Sequence, residues 1–396
     1  MNSFEQPSLY ILSLLLIVYI TAILSLFSLK EVPMAESNLI NTQFLPEDKM
    51  IRPYNDSLSS LCNQTLWQPG LYLNCTNIIH RTTRFENQGD NWGTFNIRSE
   101  LISCLRWAID SGMGLIMPRI AYRSDYDLEF FPRWGNWSYL FDEDQLRSTL
   151  NKECPQLIIE DTYAEIDNIV HAPMPDGAFY YAPSLHRRRT NHLLREQNIT
   201  PSLNNPAVIW ENKPLFGWLF SKDGLNIHNS LLDAVEFRLD IREMSRILRS
   251  FIPDPYLGLH LRVEPDQIWY KYEELRDWAY DYLITNTPHI HTIYVSVGDK
   301  EYENKFIQDM SAKNITILTK WKLASLENTI YQQLLELDFD QIAVVDYEIL
   351  LYSEEFLGVA QSSFSYAVAS KRGKGKLEDC KCSIQGTFGY AFPCCY

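Results

Sequence analysis

Hydrophobic and polar positions in residues 229–372 switch repeatedly between the period of a strand and the period of a helix. Residues 256–266 begin as a short apolar run, as in a buried strand, and end in polar side chains at alternate positions, which a strand places on one face. Further strands are predicted at 291–297, 315–318, 342–345 and 356–360, and helices at 231–251, 269–283, 301–310, 326–337, 346–351 and 362–371. This alternation predicts an α/β fold with a parallel sheet and helices on both of its faces.

Residues 61–228 show a weaker form of the same pattern. Helices are predicted at 99–109 and 141–154 and strands at 114–118 and 155–160, while residues 165–225 are less regular. A loop that contains glycine opens the first of these helices, so that its backbone N–H groups point at whatever lies above them. We therefore predict two Rossmann-like domains, at 61–228 and 229–372, that face each other across a cleft, followed by a cysteine-rich tail at 373–396.

Residues 8–29 contain no charged side chain. As a helix they are long enough to cross a bilayer of roughly 30 Å. They are long for a cleaved signal peptide and lack a basic leading segment. We predict a transmembrane signal anchor, preceded by a cytoplasmic tail at 1–7 and followed by a stem at 30–60. The charges that flank the span, Glu5 and Lys30, do little to fix its orientation.

Sequons and cysteines indicate the orientation, because all of them follow residue 29. Asn-x-Ser/Thr acceptor sequences indicate a lumenal chain. Cysteines clustered toward the two ends of that part indicate disulfides; zinc is the less favoured alternative, because the C-terminal spacing is not Cys-x-x-Cys and no His is near. The sequons begin at Asn55, Asn63, Asn74, Asn136, Asn198 and Asn314, and the cysteines are Cys62, Cys75, Cys104, Cys154, Cys380, Cys382, Cys394 and Cys395.

We hypothesise that Cys62 pairs with Cys75, that Cys104 pairs with Cys154, and that the four C-terminal cysteines pair among themselves. The chain is then expected to be a single-pass type II membrane protein of the secretory pathway with a lumenal catalytic part. Its C-terminus carries no retention tetrapeptide, so both the Golgi and the ER stay open as locations.

Composition narrows the class of partner. With 46% hydrophobic and 21% charged residues, the 396-residue chain has an ordinary globular composition. Its net charge of −15 excludes a general affinity for nucleic acid. An anionic substrate would therefore need local positive charge.

The end of one predicted strand and the start of one predicted helix could supply this positive charge. An Arg beside a His at the carboxyl end of a strand suits a diphosphate, because the guanidinium fork matches two phosphate oxygens; a structural ion pair is the alternative. Hydroxyls and backbone N–H groups at a helix start also suit phosphate, and the alternative there is plain N-capping. The residues concerned are His260 and Arg262 at the strand end, and Ser362, Ser363 and Phe364 at the helix start, where the Phe ring could stack on a base.

Three motifs in this order resemble the GDP-fucose protein O-fucosyltransferase family, and the cysteine pattern is similar to that of fungal members. They are Gly93-Thr-Phe-Asn-Ile-Arg98, His260-Leu-Arg262, and Phe356-Leu-Gly358 followed by Ser362-Ser-Phe364. The resemblance extends over about residues 62–372. It implies a GT-B fold, a GDP-sugar donor in the cleft between the domains, inversion at the anomeric carbon, and neither a metal nor another cofactor.

The resemblance also implies roles for individual residues. Arg262 would hold the diphosphate and neutralise the leaving group, where charge develops. One branch of the family has its general base, a Glu, where this chain has Gly93. The base is therefore open among Asp90, Glu264 and Asp266, of which Asp266 is expected instead to brace Arg262 or a loop. The implied donor-binding set is Gly93, Asn96 near the sugar, Arg98, His260 at the nucleotide, Arg262, Ser362, Ser363 and Phe364.

The leading functional hypothesis is an inverting O-fucosyltransferase that moves fucose from GDP-fucose to a hydroxyl of a protein or glycan acceptor. The alternative is a lumenal nucleotide-sugar or glycan-binding protein of the same fold without turnover, which the missing carboxylate favours. A glycoside hydrolase would need two carboxylates about 5–10 Å apart, and no such pair can be placed in the sequence.

Overall fold

The computed structural model contains two five-stranded parallel sheets with helices packed beside them. It describes residues 57–75, 94–122, 133–162, 166–172, 185–211, 225–264, 270–360, 362–374 and 380–386, all within one unit at 53–396. The strands are β1 (Leu71–Asn74), β2 (Gly114–Ile116), β3 (Ile120–Tyr122), β4 (Arg133–Gly135), β5 (Ile159–Glu160), β6 (Asn168–Ala172), β7 (Ala207–Glu211), β8 (Leu257–His260), β9 (Thr292–Ser296), β10 (Thr316–Leu318), β11 (Glu355–Val359) and β12 (Cys382–Gln385). The helices are α1 (Leu58–Gln64), α2 (Thr94–Ser111), α3 (Glu143–Glu153), α4 (Leu185–Glu196), α5 (Leu225–Ala234), α6 (Leu239–Ser250), α7 (Tyr272–Asn286), α8 (Lys300–Ser311), α9 (Lys320–Ala324), α10 (Asn328–Leu335), α11 (Phe339–Leu350) and α12 (Ser363–Arg372).

The first sheet has the strand order β5–β2–β1–β7–β6, and its neighbouring strands are parallel. β1 is therefore central, and all four of its residues are buried. Helix α2 follows β1 in the described chain and turns Leu101, Leu105 and Ala108 inward at helical spacing. A small antiparallel pair, β3 with β4, lies outside this sheet.

The second sheet has the order β10–β9–β8–β11–β12 and is also parallel. The strands that follow β8 in the chain, β9 and β10, lie on one side of it, while β11 and β12 lie on the other side. Leu257, Leu259 and Val295 are buried in its core. These two sheets confirm the α/β fold that the alternating pattern predicts, although β12 lies in the tail where no strand was expected.

Two of the predicted elements are wrong. The apolar residues 342–345, predicted as a strand, lie inside α11, which starts at a capping box between Asp338 and Gln341. Four consecutive apolar residues fit a buried helix as well as a strand, so the period alone could not decide. The helix predicted at 231–251 is interrupted between α5 and α6, where the buried ring of Phe237 stacks on Phe141 at 5.3 Å.

The N-terminal disulfides join the cysteines differently from the hypothesis. Cys62 in α1 is bonded to Cys154, the residue that ends α3, and Cys75 after β1 is bonded to Cys104 in α2. The reason lies in the packing: α1 lies against α3, whereas β1 carries Cys75 into the centre of the sheet beside α2.

The structure describes two of the four C-terminal cysteines and none of the predicted membrane span. Cys380 is bonded to Cys382, as a pairing within the C-terminal group requires, whereas Cys394 and Cys395 lie outside the described residues. Among the helices that the structure describes, none is both long and apolar enough to span a bilayer. The span predicted at 8–29 lies outside the described residues and stays a prediction.

The sequon asparagines differ in exposure. Asn74 is fully buried at the end of the central strand β1, so the prediction that it carries a glycan is wrong for the folded chain. Asn55 lies outside the described residues. The remaining acceptors are exposed, and their glycosylation stays a prediction; they are Asn63, Asn136, Asn198 and Asn314.

Replacing both Cys62 and Cys154 with Ser should lower the free energy of unfolding by about 4 kcal/mol, because this bond closes a long loop between residues 92 positions apart. Urea denaturation measures the change. The matched control replaces Cys380 and Cys382, which are only two positions apart and should matter much less. Equal effects of the two double variants, or a Cys62–Cys75 peptide in non-reducing mapping, would contradict the connectivity.

Candidate active site

The second sheet changes direction between β8 and β11, and this is where an open α/β sheet opens a crevice at the carboxyl ends of its strands. β8 and β11 are paired in parallel, with Leu259 opposite Leu357. Their carboxyl ends therefore lie side by side. β8 ends at His260 and is followed by Arg262, and the chain after β11 leads to the start of α12.

His260 is fixed by a side-chain contact across the crevice. Its Nδ1 lies 2.8 Å from the Ser365 hydroxyl, which also accepts a hydrogen bond from the Val359 backbone N–H at 3.1 Å. Burial lowers the pKa of His260 to about 4, although the charge of Glu264 opposes this shift. The ring is therefore neutral at physiological pH, and the positive charge at this strand end belongs to Arg262.

Arg262 is held by Glu264. Its Nη1 contacts Glu264 Oε2, which also accepts a hydrogen bond from the Val263 N–H at 3.1 Å, while Oε1 accepts from the Gly298 N–H at 2.9 Å. Burial alone would raise the pKa of Glu264, but the charge of Arg262 and these hydrogen bonds hold it below its usual range. The Arg262 side chain remains 19% exposed. Glu264 therefore braces Arg262, which is the role expected of Asp266, and its carboxylate is poorly suited to act as a base.

Two glycines make these contacts possible. A Cβ atom at Gly298 would lie 2.5 Å from Glu264 Oε1, and one at Gly358 would lie 2.7 Å from the Ser365 hydroxyl. Both distances are shorter than a side chain allows. Ser365 was missed in the sequence, although it lies three positions after Ser362 and so falls on the same side of α12.

Ser362 stands at the N-cap position of α12, but its side chain makes no capping hydrogen bond. The N-capping alternative is therefore not realised by its hydroxyl. Ser362 is buried and Ser363 is partly buried at the first turn, where the helix directs backbone N–H groups out of its end. Hydroxyls and N–H groups at a positive helix end, at the same edge of the sheet as Arg262, form an arrangement suited to an anion.

Phe364 joins the two halves of the molecule. Its ring lies 4.4 Å from the His260 ring and 4.7 Å, edge to face, from the ring of Phe95 in the first turn of α2. These contacts occupy much of the ring that the sequence suggested for stacking on a base. Phe364 therefore acts first as a packing residue that positions His260.

Arg98, which the resemblance places in the donor site, has a structural role instead. Its buried guanidinium donates to the backbone carbonyls of Val235 and Leu232, at 2.8 and 2.9 Å, and to the Tyr347 hydroxyl at 3.0 Å. It also lies 4.8 Å from the centre of the Phe237 ring. With three hydrogen bonds to its surroundings, the group ties α2 to the chain after α5 and to α11 rather than presenting its fork to a ligand.

Several predicted site residues cannot be compared in the same way. Asp90, Gly93 and Asp266 lie outside the described residues, and so does the side chain of Asn96, whose backbone is in the first turn of α2. Within the described part of the chain, no three His, Cys, Asp or Glu side chains are grouped so that they could hold a metal ion. Metal independence stays a prediction.

An acidic pair lies beside Arg98. Glu236 accepts a hydrogen bond from Lys371 at 2.8 Å and lies 3.7 Å from Arg98. Burial would raise the pKa of Glu236, yet Arg98 and Lys371 hold it below its usual range. Burial, together with the charge of Glu236, raises the pKa of Glu348 to about 7. Glu348 is thus a carboxyl group that titrates close to neutral pH between the two halves of the molecule.

No protein-family model and no curated protein matches the sequence. Structure comparison finds similarity to POFUT1 in complex with GDP-fucose, at 11% identity over 81% of this chain and 99% of that chain, with a TM-score of 0.47. POFUT1 in complex with GDP gives 10% identity over 80% and 99%, with a TM-score of 0.49. The fucosyltransferase NodZ from Bradyrhizobium gives 12% identity over 76% and 92%, with a TM-score of 0.41. These TM-scores lie below 0.5, so the proposal for this chain rests on its own residues.

Replacing Arg98 with Met should lower the free energy of unfolding by about 3–5 kcal/mol, because it leaves two buried carbonyls without their donor and removes one of the two cations beside Glu236. Chemical denaturation measures this change, and Arg246→Met, at an exposed arginine, is the matched control. Nucleotide affinity per folded molecule should fall only slightly, because Arg98 helps to position the site but directs its hydrogen bonds to protein groups. A variant of normal stability that no longer binds nucleotide would show instead that Arg98 contacts the donor.

Stability should depend on the protonation of Glu348. Its pKa is raised in the folded state from an ordinary value of 4.5 to about 7, so the folded chain binds this proton more tightly than the unfolded chain does. The contribution of this proton to the stability of the fold is full below about pH 4.5 and is lost as the pH rises through 7. Glu348→Gln should therefore flatten the fall in melting temperature between pH 5 and pH 8. An unchanged pH profile in the variant would contradict the assignment.

Proposed function

We propose that this chain is a glycosyltransferase that takes its sugar from a nucleoside diphosphate donor, with GDP-fucose as the donor and a GT-B-type arrangement of two Rossmann-like halves around the donor. The observation that carries the proposal is the position of Arg262 and of the start of α12 directly after the adjacent strands β8 and β11, where the second sheet changes direction. The ordered motifs that resemble the O-fucosyltransferase family contribute the identity of the donor.

The geometry supports a specific role for Arg262. A departing nucleoside diphosphate gains negative charge as the glycosidic bond breaks, and a fixed guanidinium stabilises this charge without having to reorient. Glu264 supplies that fixation through its contacts with Arg262, Val263 and Gly298. The N–H groups of the first turn of α12 would share the remaining phosphate charge.

The remaining parts of the proposal rest on the resemblance and on sequence. We place inversion at the anomeric carbon and metal-independent transfer among them, because arginine and a helix end can replace the charge of a metal. The membrane anchor at 8–29, the type II orientation and the lumenal location in the Golgi or ER also belong here. The acceptor is a hydroxyl of a protein or glycan.

One observation favours the second candidate, a lumenal protein that binds nucleotide sugar or glycan without turnover. Glu264 is the only candidate base within the described residues, and its carboxylate is spent on Arg262 and on two backbone N–H groups. A transferase would then draw its base from Asp90 or Asp266 or from another carboxylate. Measurement of turnover separates the two functions.

Calorimetric titration of the full-length chain with GDP, GDP-fucose and UDP, with and without a chelator, tests the proposal. GDP and GDP-fucose should bind in preference to UDP, and the chelator should have no effect. Arg262→Ala should weaken binding by roughly ten- to a hundredfold, the value of a charge-assisted hydrogen bond, and should abolish turnover.

Arg246→Ala, at an exposed arginine, is the matched control and should behave like the unchanged protein. Full activity of Arg262→Ala would refute the role of this residue. A folded protein that binds none of the three nucleotides would overturn the proposed function, whereas GDP binding without release of fucose to any acceptor would establish the binding protein instead.

A further inference from the structure

A pocket of about 290 Å³ lies beside the Arg262–Glu264 pair. Its wall runs from Val263 and Glu264 after β8 to the first turns of α7 and α8. Glu264 also accepts from Gly298 after β9, and the Tyr270 hydroxyl donates to the Gln385 carbonyl at the end of β12 at 3.4 Å, so the pocket lies at the carboxyl edge of the second sheet. We call it the tyrosine pocket, after Tyr270, Tyr272 and Tyr302, which line it.

The aromatic wall is held in place before any ligand binds. The Tyr272 hydroxyl donates to Asp309 at 2.8 Å, and the Tyr272 and Tyr302 rings lie 5.3 Å apart at an angle of 32°. The ammonium group of Lys305 lies 4.2 Å from the centre of the Tyr272 ring, on the same cluster. Rings fixed in this way lose little conformational freedom on binding, which favours affinity.

The charges around the tyrosine pocket exclude a second anion site. Besides Glu264, the first turns of α7 and α8 carry Glu273 and Glu274, and Glu301 and Glu303. Carboxylates already occupy the helix ends that would otherwise attract a phosphate. Three cations balance only part of this charge: Lys271 at the rim, Lys305, which pairs with Glu273 at 2.9 Å, and Arg276, whose guanidinium lies 5.8 Å from the centre of the Tyr272 ring. The pocket therefore suits a neutral ligand with apolar faces and many hydroxyl groups.

We propose that the tyrosine pocket binds a sugar ring of the acceptor, so that the acceptor of this enzyme is a glycan. This inference rests on the proposed function. The C–H face of a pyranose packs against an aromatic ring, and its hydroxyls can donate to carboxylates such as Glu273 at the rim. Because Glu264 forms part of the pocket wall and also holds Arg262, the acceptor sugar lies next to the group that holds the donor's diphosphate.

Saturation-transfer NMR on the full-length chain with methyl glycosides of galactose, mannose and N-acetylglucosamine, with and without GDP, tests the inference. At least one glycoside should bind without GDP. Tyr302→Ala should weaken this binding by roughly three- to tenfold, the value of one aromatic contact, while the affinity for GDP measured by calorimetry stays unchanged. Tyr302→Phe keeps the ring and should bind nearly as the unchanged protein does.

Tyr352→Ala is the matched control, because Tyr352 is 57% exposed and lies outside the tyrosine pocket. GDP binding without binding of any glycoside, or binding of a threonine peptide alone, would overturn the glycan inference and leave the proposed function standing. Glycoside binding that Tyr302→Ala does not change would also overturn it, as would a loss of GDP affinity in that variant, which would assign the pocket to the nucleotide. Failure of GDP to bind the unchanged chain refutes the proposed function separately.

Discussion

The buried guanidinium of Arg98 is the contact on which the arrangement of the site depends. It holds the start of α2 against the Leu232 and Val235 carbonyls at the end of α5 and against Tyr347 of α11, and so fixes elements of both halves in one place. The same turn of α2 carries Phe95, which packs on Phe364. Phe364 in turn lies against His260. The position of His260 at the crevice therefore depends on the buried guanidinium of Arg98. A buried charge held by three hydrogen bonds is costly to disturb, so Arg98 keeps the two halves in a fixed arrangement.

Close packing around two glycines determines the positions of the other side chains in the site. Gly358 lets Ser365 approach β11, and Ser365 then fixes the ring of His260. Gly298 lets Glu264 approach the turn after β9, and Glu264 then fixes Arg262. In both cases the absence of a Cβ atom on glycine makes room for a polar side chain that holds a predicted ligand-binding residue, His260 or Arg262. The tyrosine pocket shares Glu264 with this network, so the proposed donor and acceptor subsites are joined by a single carboxylate.

Local sequence patterns predicted correctly the strands that local hydrophobic runs determine. The apolar runs that end at His260 and at Val359 predicted β8 and β11, because strands buried on both faces read as continuous hydrophobic stretches. The role of Arg98 could not be read in this way, since it depends on carbonyls about 135 positions later in the chain. For the same reason the sequence could not pair the cysteines. Residues 342–345 were misassigned because length, not period, separates a buried helix from a buried strand.

The disulfide connectivity also constrains how the chain can mature. Synthesis proceeds from the N-terminus, so Cys62 and Cys75 are the first two thiols to emerge, and for a time they are the only ones. In an oxidising compartment the bond that forms first would then be the one that the folded protein lacks. The native bonds need Cys104 and Cys154, which emerge later and only then find their partners through the packing of α2 and α3. In such a compartment, maturation would require either that oxidation is delayed or that an early bond is exchanged by a thiolate, which would make thiol–disulfide exchange part of the route to the native fold.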